Sequence, residues 1–271
     1  NFSANIHSSA NGIVKDIIDI QTASGKNSQA VVIDTEGYDQ EKEYILNENV
    51  DLHKEEIVEK IKEAGIVGMG GAAFPTHIKY SPNKPVDTVL VNGAECEPYV
   101  TCDDFLMKHK PENIVRGLEL LVVASGASQG IIAIEDNKPE AFEKINSYIA
   151  NNPSKASNKP NIKAVKLATK YPQGDEKRLI DATLSSPVPS GGLPMDAGVI
   201  VSNISTVNAV FEAIYYDKPL IERIMTVTGH NINTPKNVVV KIGTPFEYAI
   251  DAVGGTKGEI GKLINGGPMM G

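Results

Sequence analysis

The strongest local signal in the chain is Asp87-Thr88-Val89-Leu90-Val91-Asn92, which runs directly into the polar turn Asn92-Gly93-Ala94-Glu95-Cys96-Glu97-Pro98-Tyr99. An apolar run of this length, bounded by turn residues, is typical of a strand that is buried on both faces. Similar runs at 130–134, 162–167 and 198–201 alternate with helical patterns at 111–126, 139–150, 175–182 and 206–216. The alternation predicts an α/β fold with a mostly parallel sheet covered by helices on both faces.

Three predicted units make up the chain. Residues 1–47 lack a helical period and predict strands at 13–20 and 30–33, joined by a turn at 24–27. Residues 48–222 form the α/β core, which begins with a helix capped by Asp51 and ended by Gly65. Residues 223–271 predict strands at 224–228, 238–242 and 262–264 around a short helix at 245–252. Because two or three strands alone are marginally stable, we expect the first unit to be part of a larger β domain.

Composition excludes several classes of protein. The 271 residues carry a net charge of −8, and no stretch combines lysine and arginine with aromatic residues, so we expect no nucleic-acid partner. No run of about 18 apolar residues occurs, so we expect no transmembrane segment. The only cysteines are Cys96 and Cys102, too few for a disulfide scaffold or for a four-cysteine cluster within this chain. The start of the chain has no secretory pattern, and we expect a cytoplasmic setting.

Glycine is densest in Gly68-Met69-Gly70-Gly71-Ala72-Ala73-Phe74-Pro75-Thr76-His77-Ile78-Lys79. Glycines let backbone N–H groups approach a phosphate closely, and Lys79 adds a positive charge. The spacing nearly fits the dinucleotide-binding fingerprint, but that motif follows a strand, whereas this loop follows a predicted helix. A tight turn after a helix therefore explains the glycines as well as a phosphate site does.

Polar residues also follow three predicted strands. They are Asn92–Tyr99, Tyr171–Glu176 and Ser202–Thr206. Taken singly, each joint is explained by a polar turn, by acids in a first helical turn or by an N-cap. Since the carboxyl ends of parallel strands share one edge, their convergence favours a binding pocket there, which the loop 187–194 is long enough to cover.

A metal site is the less favoured interpretation of the acidic residues. The candidate ligands are Glu95, Glu97, Asp103, Asp104 and His109. No helical ligand spacing supports them, so we predict no metal site. We also assign no catalytic side chain, since no serine lies in a nucleophile motif and neither the histidines nor Cys96 stand in a catalytic pattern.

Four motifs in a fixed order together resemble the RnfC family, the NADH-facing subunit of the Rnf ferredoxin:NAD oxidoreductase complex. They are Gly65–Thr76, Asn92–Tyr99, Lys170–Gly174 and Pro189–Pro194. The chain also resembles the proline-reductase-associated electron-transfer proteins, which are close relatives, and more distantly the FMN- and NADH-binding subunit of respiratory complex I. The resemblance implies a Rossmann-like α/β core, preceded by a partial β barrel-sandwich hybrid unit and followed by the start of a β-grasp SLBB module.

The resemblance also implies which residues bind FMN and NAD(H). The FMN phosphate and ribityl chain would lie on Gly68, Gly70, Gly71 and Lys79, and the flavin beside Asn92 and Glu95. Further cofactor-binding residues implied by the motifs are Tyr171, Gly174, Asp175, Glu176, Asn203 and Thr206. Residues implied to contact NADH are Ala72, Phe74 and Glu97. The chain departs from the family at Ala73, where the family usually has glycine.

The implied function is an electron-transfer flavoprotein subunit that oxidises NADH, or reduces NAD, through bound FMN. Its 4Fe-4S clusters would lie in a segment after the SLBB module, outside this chain, so this fragment alone would not complete electron transfer. Implied partners are other subunits of an electron-transport complex or a partner reductase, with a ferredoxin-type carrier. The implied location is cytoplasmic, with a peripheral position on the inner face of the cell membrane as one option.

Two other functions stay open from the sequence. The chain could be a cofactor-free docking or scaffold subunit that keeps the fold, with Ala73 marking a decayed site. It could also be a soluble NADH-dependent electron donor to an amino-acid reductase.

Overall fold

The structure is a computed structural model that describes residues 2–22, 25–37, 42–48, 50–152 and 160–271. Its first unit is an antiparallel hairpin. Strand β1 (Ile13–Gln21) pairs with β2 (Asn27–Asp34), as predicted, with a register shift between Val14 and Asp16. Every residue of β1 is exposed. Part of the predicted turn, Ser24, lies outside the described residues.

Helix α1 (Lys54–Glu63) leads into the glycine-rich loop, and the short helix α2 (Thr76–Lys79) follows that loop. The prediction that Asp51 caps α1 is wrong by two residues. His53 is the N-cap because its backbone N–H donates to the Glu56 carboxylate, 2.8 Å away and three residues on. The helix gives way to Gly65, which has φ 68° as the prediction of a glycine stop requires.

A parallel sheet of four strands forms the centre of the described structure. In sequence order its strands are β3 (Thr88–Gly93), β4 (Gln129–Glu135), β5 (Asn161–Leu167) and β6 (Val199–Asn203), and their order across the sheet is β5-β4-β3-β6. The helices of this region are α3 (Cys102–His109), α4 (Pro111–Ser125), α5 (Pro139–Asn151), α6 (Glu176–Leu184) and α7 (Ile204–Tyr215), with a 3-10 helix at Pro194–Ala197. Helix α3 was not predicted.

Helices cover both faces of this sheet. Val89 and Val91 of β3 pack into a large cluster with α1, α4, α5 and α7, whereas Leu90 faces a second cluster with α6. The apolar run of β3 is continuous because alternate side chains enter two different cores.

The last unit pairs β7 (Glu222–Val227) with β8 (Lys236–Lys241) and adds helix α8 (Phe246–Asp251). The predicted strand at 262–264 is wrong, since these residues form no strand and the side chains of Leu263 and Ile264 are exposed. Gly266 and Gly267, both at positive φ, fold the chain into a turn directly after this segment, and none of the described strands pairs with it. Within the part of the chain that the structure describes, every helix is too short or too polar to cross a bilayer.

The packing of α4 on α7 makes a testable demand on Gly117. A Cβ at this position would lie 2.5 Å from the backbone oxygen of Val207, so the two helices would have to move apart. Alanine is the better helix former by about 0.5–1 kcal/mol, but overpacking costs about 1–3 kcal/mol. We therefore expect Gly117→Ala to lower the free energy of unfolding in urea by about 1–2 kcal/mol.

Gly261→Ala is the matched control, because a Cβ at Gly261 meets nothing within 4 Å. Its unfolding free energy should change by less than about 0.5 kcal/mol. A Gly117→Ala protein as stable as the unaltered chain would contradict the close approach of the helices.

Candidate functional site

The glycine-rich loop lies at the carboxyl end of β6. The backbone N–H of Met69 donates to Thr206 Oγ1 at 2.9 Å, and a Cβ at Gly70 would lie 3.3 Å from Asn203 Cβ. The base of the loop is closed by the Gly68 N–H, which donates to the Phe74 oxygen at 2.8 Å. The loop is therefore held against a strand end more than 130 residues away in the sequence.

At its far end the loop is tied to α6. Lys79 Nζ lies 3.2 Å from Glu176 Oε1, and the two side chains are 30% and 48% exposed. Asp175 is the N-cap of α6, where its carboxylate accepts the N–H of Arg178 at 3.2 Å. Because exposed ion pairs contribute only about 0–1 kcal/mol, Lys79 can exchange Glu176 for an anionic ligand at little cost.

A second set of contacts joins the ends of β3 and β5. Asn92 Nδ2 donates to the Gly174 oxygen at 2.8 Å, and the Gly174 N–H donates to Cys96 Sγ at 3.3 Å. Gly174 fits closely, since a Cβ there would lie 3.2 Å from Cys96 Sγ. Tyr171 is 41% exposed, and Gln173, which the sequence analysis did not single out, is buried with Oε1 unpartnered among the described residues.

Half-buried Glu95 and buried Asp103 form a carboxylate pair. Glu95 lies at φ 46° and accepts the N–H groups of Asp103 at 2.6 Å and Asp104 at 3.0 Å, which caps the unpredicted helix α3. Asp103 accepts Asn203 Nδ2 at 2.6 Å and Ser205 Oγ at 2.8 Å. The pair thus links the end of β3 to the start of α7.

Burial sets the protonation of this pair. Burial, reinforced by the charge of Asp103, raises the pKa of Glu95 to about 7. Burial also raises the pKa of Asp103. In the same place burial raises the pKa of the Cys102 thiol to about 12. Glu95, Cys102 and Asp103 could geometrically approach one cation, but their hydrogen bonds and a protonated thiol already explain the group.

The other candidates for metal ligands have separate partners. Asp104 pairs with Lys108 Nζ at 2.7 Å, and His109 Nδ1 lies 2.9 Å from the Phe105 oxygen. Glu97 contacts the last unit of the chain.

A cleft of about 400 Å³ opens at the carboxyl ends of β3, β4 and β5. Its lining comprises residues 95–101, Asp104, Glu135, Asn137, Lys138 and 169–171. Buried Lys138 supports its floor, because Nζ donates to the Ala94 oxygen at 2.7 Å. Of the predicted site residues, Glu95, Glu97 and Tyr171 line this cleft, whereas the glycine-rich loop is absent from the lining within the described residues.

The three residues implied to contact NADH occupy different settings. Ala72 is exposed, and the Phe74 ring is 40% exposed with its centroid 5.7 Å from that of Phe2. Glu97 Oε1 accepts the N–H of Met269 at 2.7 Å, while Oε2 is buried and unpartnered among the described residues.

Two families match this architecture. The model of the Nuo51 FMN-binding domain matches residues 61–212, and that of the SLBB domain matches residues 224–271. The first match covers more than half of the chain. The chain therefore belongs to the family of the Nuo51 FMN-binding domain.

Curated relatives narrow the similarity further. The chain is 43% identical over 273 residues to the RnfC subunit of the proton-translocating ferredoxin:NAD(+) oxidoreductase complex of Clostridium ljungdahlii, covering 99% of this chain and 58% of that protein. It is 42% identical over 275 residues to the RnfC subunit of the Na(+)-translocating complex of Acetobacterium woodii, covering 99% and 60%. The predicted resemblance to the RnfC family is confirmed. The chain spans about three fifths of the length of these two relatives.

Solved structures agree on the fold. A chain of an NAD+-reducing [NiFe]-hydrogenase in the H2-reduced state matches with a TM-score of 0.59 at 22% identity, covering 74% of this chain and 39% of that chain. Its air-oxidized state matches with a TM-score of 0.56 at 21% identity, with the same coverage. The α/β fold with a parallel-sheet core and an SLBB module is confirmed. The barrel-sandwich assignment of residues 1–47 and the boundaries of the three units stay predictions.

The carboxylate pair predicts a specific pH dependence of stability. The folded chain keeps a proton on Glu95 up to about pH 7, whereas the ordinary pKa is 4.5. This contribution is complete below the unfolded pKa and is lost as pH rises through the folded one. We expect the unfolding free energy of Glu95→Gln, measured in urea from pH 5 to 8, to lose this decline with rising pH.

The unaltered chain is the reference, because His77, whose pKa burial lowers, titrates equally in both proteins. Parallel pH profiles for the two proteins would contradict the assignment to Glu95.

Proposed function

We propose that this chain binds FMN and NAD(H) and carries electrons between the nicotinamide and iron–sulfur centres outside the chain. The observation that carries the proposal is the placement of the glycine-rich loop on the end of β6, with Lys79 at its far end. The name of the matching family, an FMN-binding domain, and the relatives' names as ferredoxin:NAD(+) oxidoreductase subunits support it.

The residues of the loop fit a phosphate group. A Cβ at Gly71 would meet nothing within 4 Å, so the backbone at this position borders open space. The neighbouring Gly70 instead packs against Asn203. Lys79 contributes the positive charge through an ion pair that is partly exposed. Backbone N–H groups and a cation are the ordinary donors to a phosphate. In the proposal Gly68, Gly70, Gly71 and Lys79 border the phosphate and ribityl chain, and Gly68 shapes the loop, since its own N–H is bonded to the Phe74 oxygen.

The flavin would lie along the strand ends, where most of the proposed residues are already held by other protein groups. Glu95 is fixed on α3, Asn92 on Gly174, and Asn203 on Asp103. These bonds leave each residue one orientation, which is how a site is preorganised for a planar ligand. The proposed border of the flavin comprises Asn92, Glu95, Tyr171, Gly174, Asp175, Glu176, Asn203 and Thr206.

NADH would approach Ala72, Phe74 and Glu97. The partly exposed Phe74 ring offers a surface for stacking, and the unpartnered Oε2 of Glu97 offers an acceptor for an N–H donor such as a carboxamide. Bound FMN supplies a hydride acceptor that can release electrons singly. The residues of the chain bind and orient, and none is required as a general base.

Ala73 favours a second function, that of a cofactor-free scaffold subunit. It lies at φ 49°, a left-handed conformation that costs a non-glycine residue about 1–2 kcal/mol. The chain thus has a strained alanine in the loop on which phosphate binding depends. The two functions differ in whether FMN binds at all.

FMN binding is measured by quenching of flavin fluorescence on titration with the chain. We expect the unaltered chain to quench the fluorescence and Lys79→Ala to bind FMN about tenfold more weakly, since about 1.4 kcal/mol of charge attraction corresponds to that factor. Lys84→Ala is the control, because Lys84 also forms a partly exposed ion pair, with Asp196. Its affinity should be unchanged. Absence of quenching by the unaltered chain would favour the scaffold function instead.

Hydride transfer is tested by anaerobic titration of the FMN-loaded chain with NADH. We expect the flavin absorbance to bleach as NADH is added, because NADH bound in the same site as FMN would reduce it by hydride transfer. Bound FMN that fails to bleach would contradict NADH oxidation by this chain.

The proposal extends to partners and location. Other subunits of an electron-transport complex or a partner reductase, together with a ferredoxin-type carrier, would receive or supply the electrons through 4Fe-4S clusters beyond this chain. We place the chain in the cytoplasm, peripheral to the inner face of the cell membrane when it is part of such a complex.

A further inference from the structure

The turn at residues 266–271 contacts Glu97, although about 170 residues separate them. The backbone N–H groups of Met269 and Met270 both donate to Glu97 Oε1, at 2.7 Å and 3.3 Å. We call residues 266–271 the terminal turn. It joins the last unit of the chain directly to the carboxyl end of β3.

Only glycine fits the terminal turn at position 267. Gly267 has φ 101°, and a Cβ there would overlap the Cγ and Oε1 atoms of Glu97. The N–H of Gly271 donates to the Gly267 oxygen at 2.8 Å and closes the turn. The shape of the turn and its contact with Glu97 therefore depend on the same residue.

The segment that carries Glu97 is also fixed at its other end by the last unit. Thr101 donates its N–H to Thr226 Oγ1 at 3.0 Å, and its backbone oxygen accepts Asn237 Nδ2 at 3.1 Å. Residues 97–101 are thus hydrogen-bonded to the last unit at both ends. The terminal turn holds Glu97, and strands β7 and β8 hold Thr101. This segment lines the cleft of about 400 Å³.

The two hydrogen bonds occupy one carboxylate oxygen and leave the other. Glu97 Oε1 is taken by the terminal turn, while Oε2 is buried and unpartnered among the described residues. A buried acceptor without a donor is costly, so a ligand N–H that reaches it is favoured. The turn therefore selects which oxygen of Glu97 a ligand meets.

We propose that the terminal turn is a positioning element of the nicotinamide nucleotide site, which holds Glu97 so that Oε2 accepts an N–H of the nicotinamide carboxamide. The inference rests on the proposed function, in which Glu97 faces NADH. It adds that the α/β core alone is incomplete as a nucleotide site and that the last unit completes it.

The contact is tested first without any ligand, by hydrogen exchange of the Met269 and Met270 amides. We expect Glu97→Ala to speed their exchange about tenfold, because the acceptor is lost. Glu247→Ala, which removes an exposed carboxylate of α8 in the same unit, is the control and should leave both amides unchanged. If the Met269 and Met270 amides exchange as slowly in Glu97→Ala as in the unaltered chain, the proposal is overturned.

Binding is tested next, as the dissociation constants for NADH and FMN on the same proteins. Gly267→Ala should weaken NADH binding about tenfold and leave FMN binding within about twofold. Gly261→Ala, whose Cβ meets nothing within 4 Å, should alter neither constant. Equal weakening of FMN and NADH by Gly267→Ala would indicate a general structural role and overturn the proposal.

A double variant separates positioning from packing. In Glu97→Ala the overlap with a new Cβ at position 267 is relieved, so adding Gly267→Ala should cause no further loss of NADH affinity. A further loss would mean that the turn acts independently of Glu97, against the proposal. Failure of the unaltered chain to bind NADH would overturn the proposed function and this role with it, whereas tight binding that ignores Gly267→Ala would overturn the role of the turn alone.

Discussion

The carboxylate of Asp103 is the constraint on which the arrangement at the sheet edge depends. An unpaired carboxylate inside a protein is unstable, so its oxygens must be matched by donors or neutralised. Asp103 meets this requirement with Asn203 and Ser205, at the junction of β6 and α7. Its own backbone N–H is taken by Glu95 at the end of β3. One buried group thereby sets the distance between two strand ends and the start of two helices.

The position of the glycine-rich loop depends on the hydrogen bonds of Asp103. Asn203, held by Asp103, is the residue against which Gly70 packs, and Thr206, one turn further into α7, accepts the N–H of Met69. If α7 began elsewhere, the loop would lose both contacts. The candidate phosphate site thus depends on a carboxylate that need never touch a ligand, which is the usual relation between a binding loop and the scaffold beneath it.

Elements whose signals are local were predictable from the sequence. Helices α4 and α5 begin at Pro111 and Pro139 as predicted, and α4 ends at Gly126, because these residues fix the backbone themselves. Helix α3 was missed although Thr101 stands at its N-cap, because the side chain that accepts the N–H groups of its first turn is Glu95, outside the helix. The strand predicted at 262–264 failed for the opposite reason, since an apolar run becomes a strand only where a neighbour pairs with it.

The candidate site was predictable to the same extent. The sequence indicated which polar residues gather at the strand ends, but not which of them are already engaged. Asp175 and Asn203 cap their helices, as the simpler interpretations of these residues require. Glu95 caps α3, which was not predicted. Among the described site residues, unused hydrogen-bonding capacity lies elsewhere, in the partly exposed ion pair of Lys79 and in the buried, unpartnered oxygens of Glu97 and Gln173. A ligand gains most where protein partners are weak or absent, so in the proposal Lys79 and Glu97 are the points at which a phosphate and a nucleotide would be recognised, and the engaged residues supply the rigid frame between them.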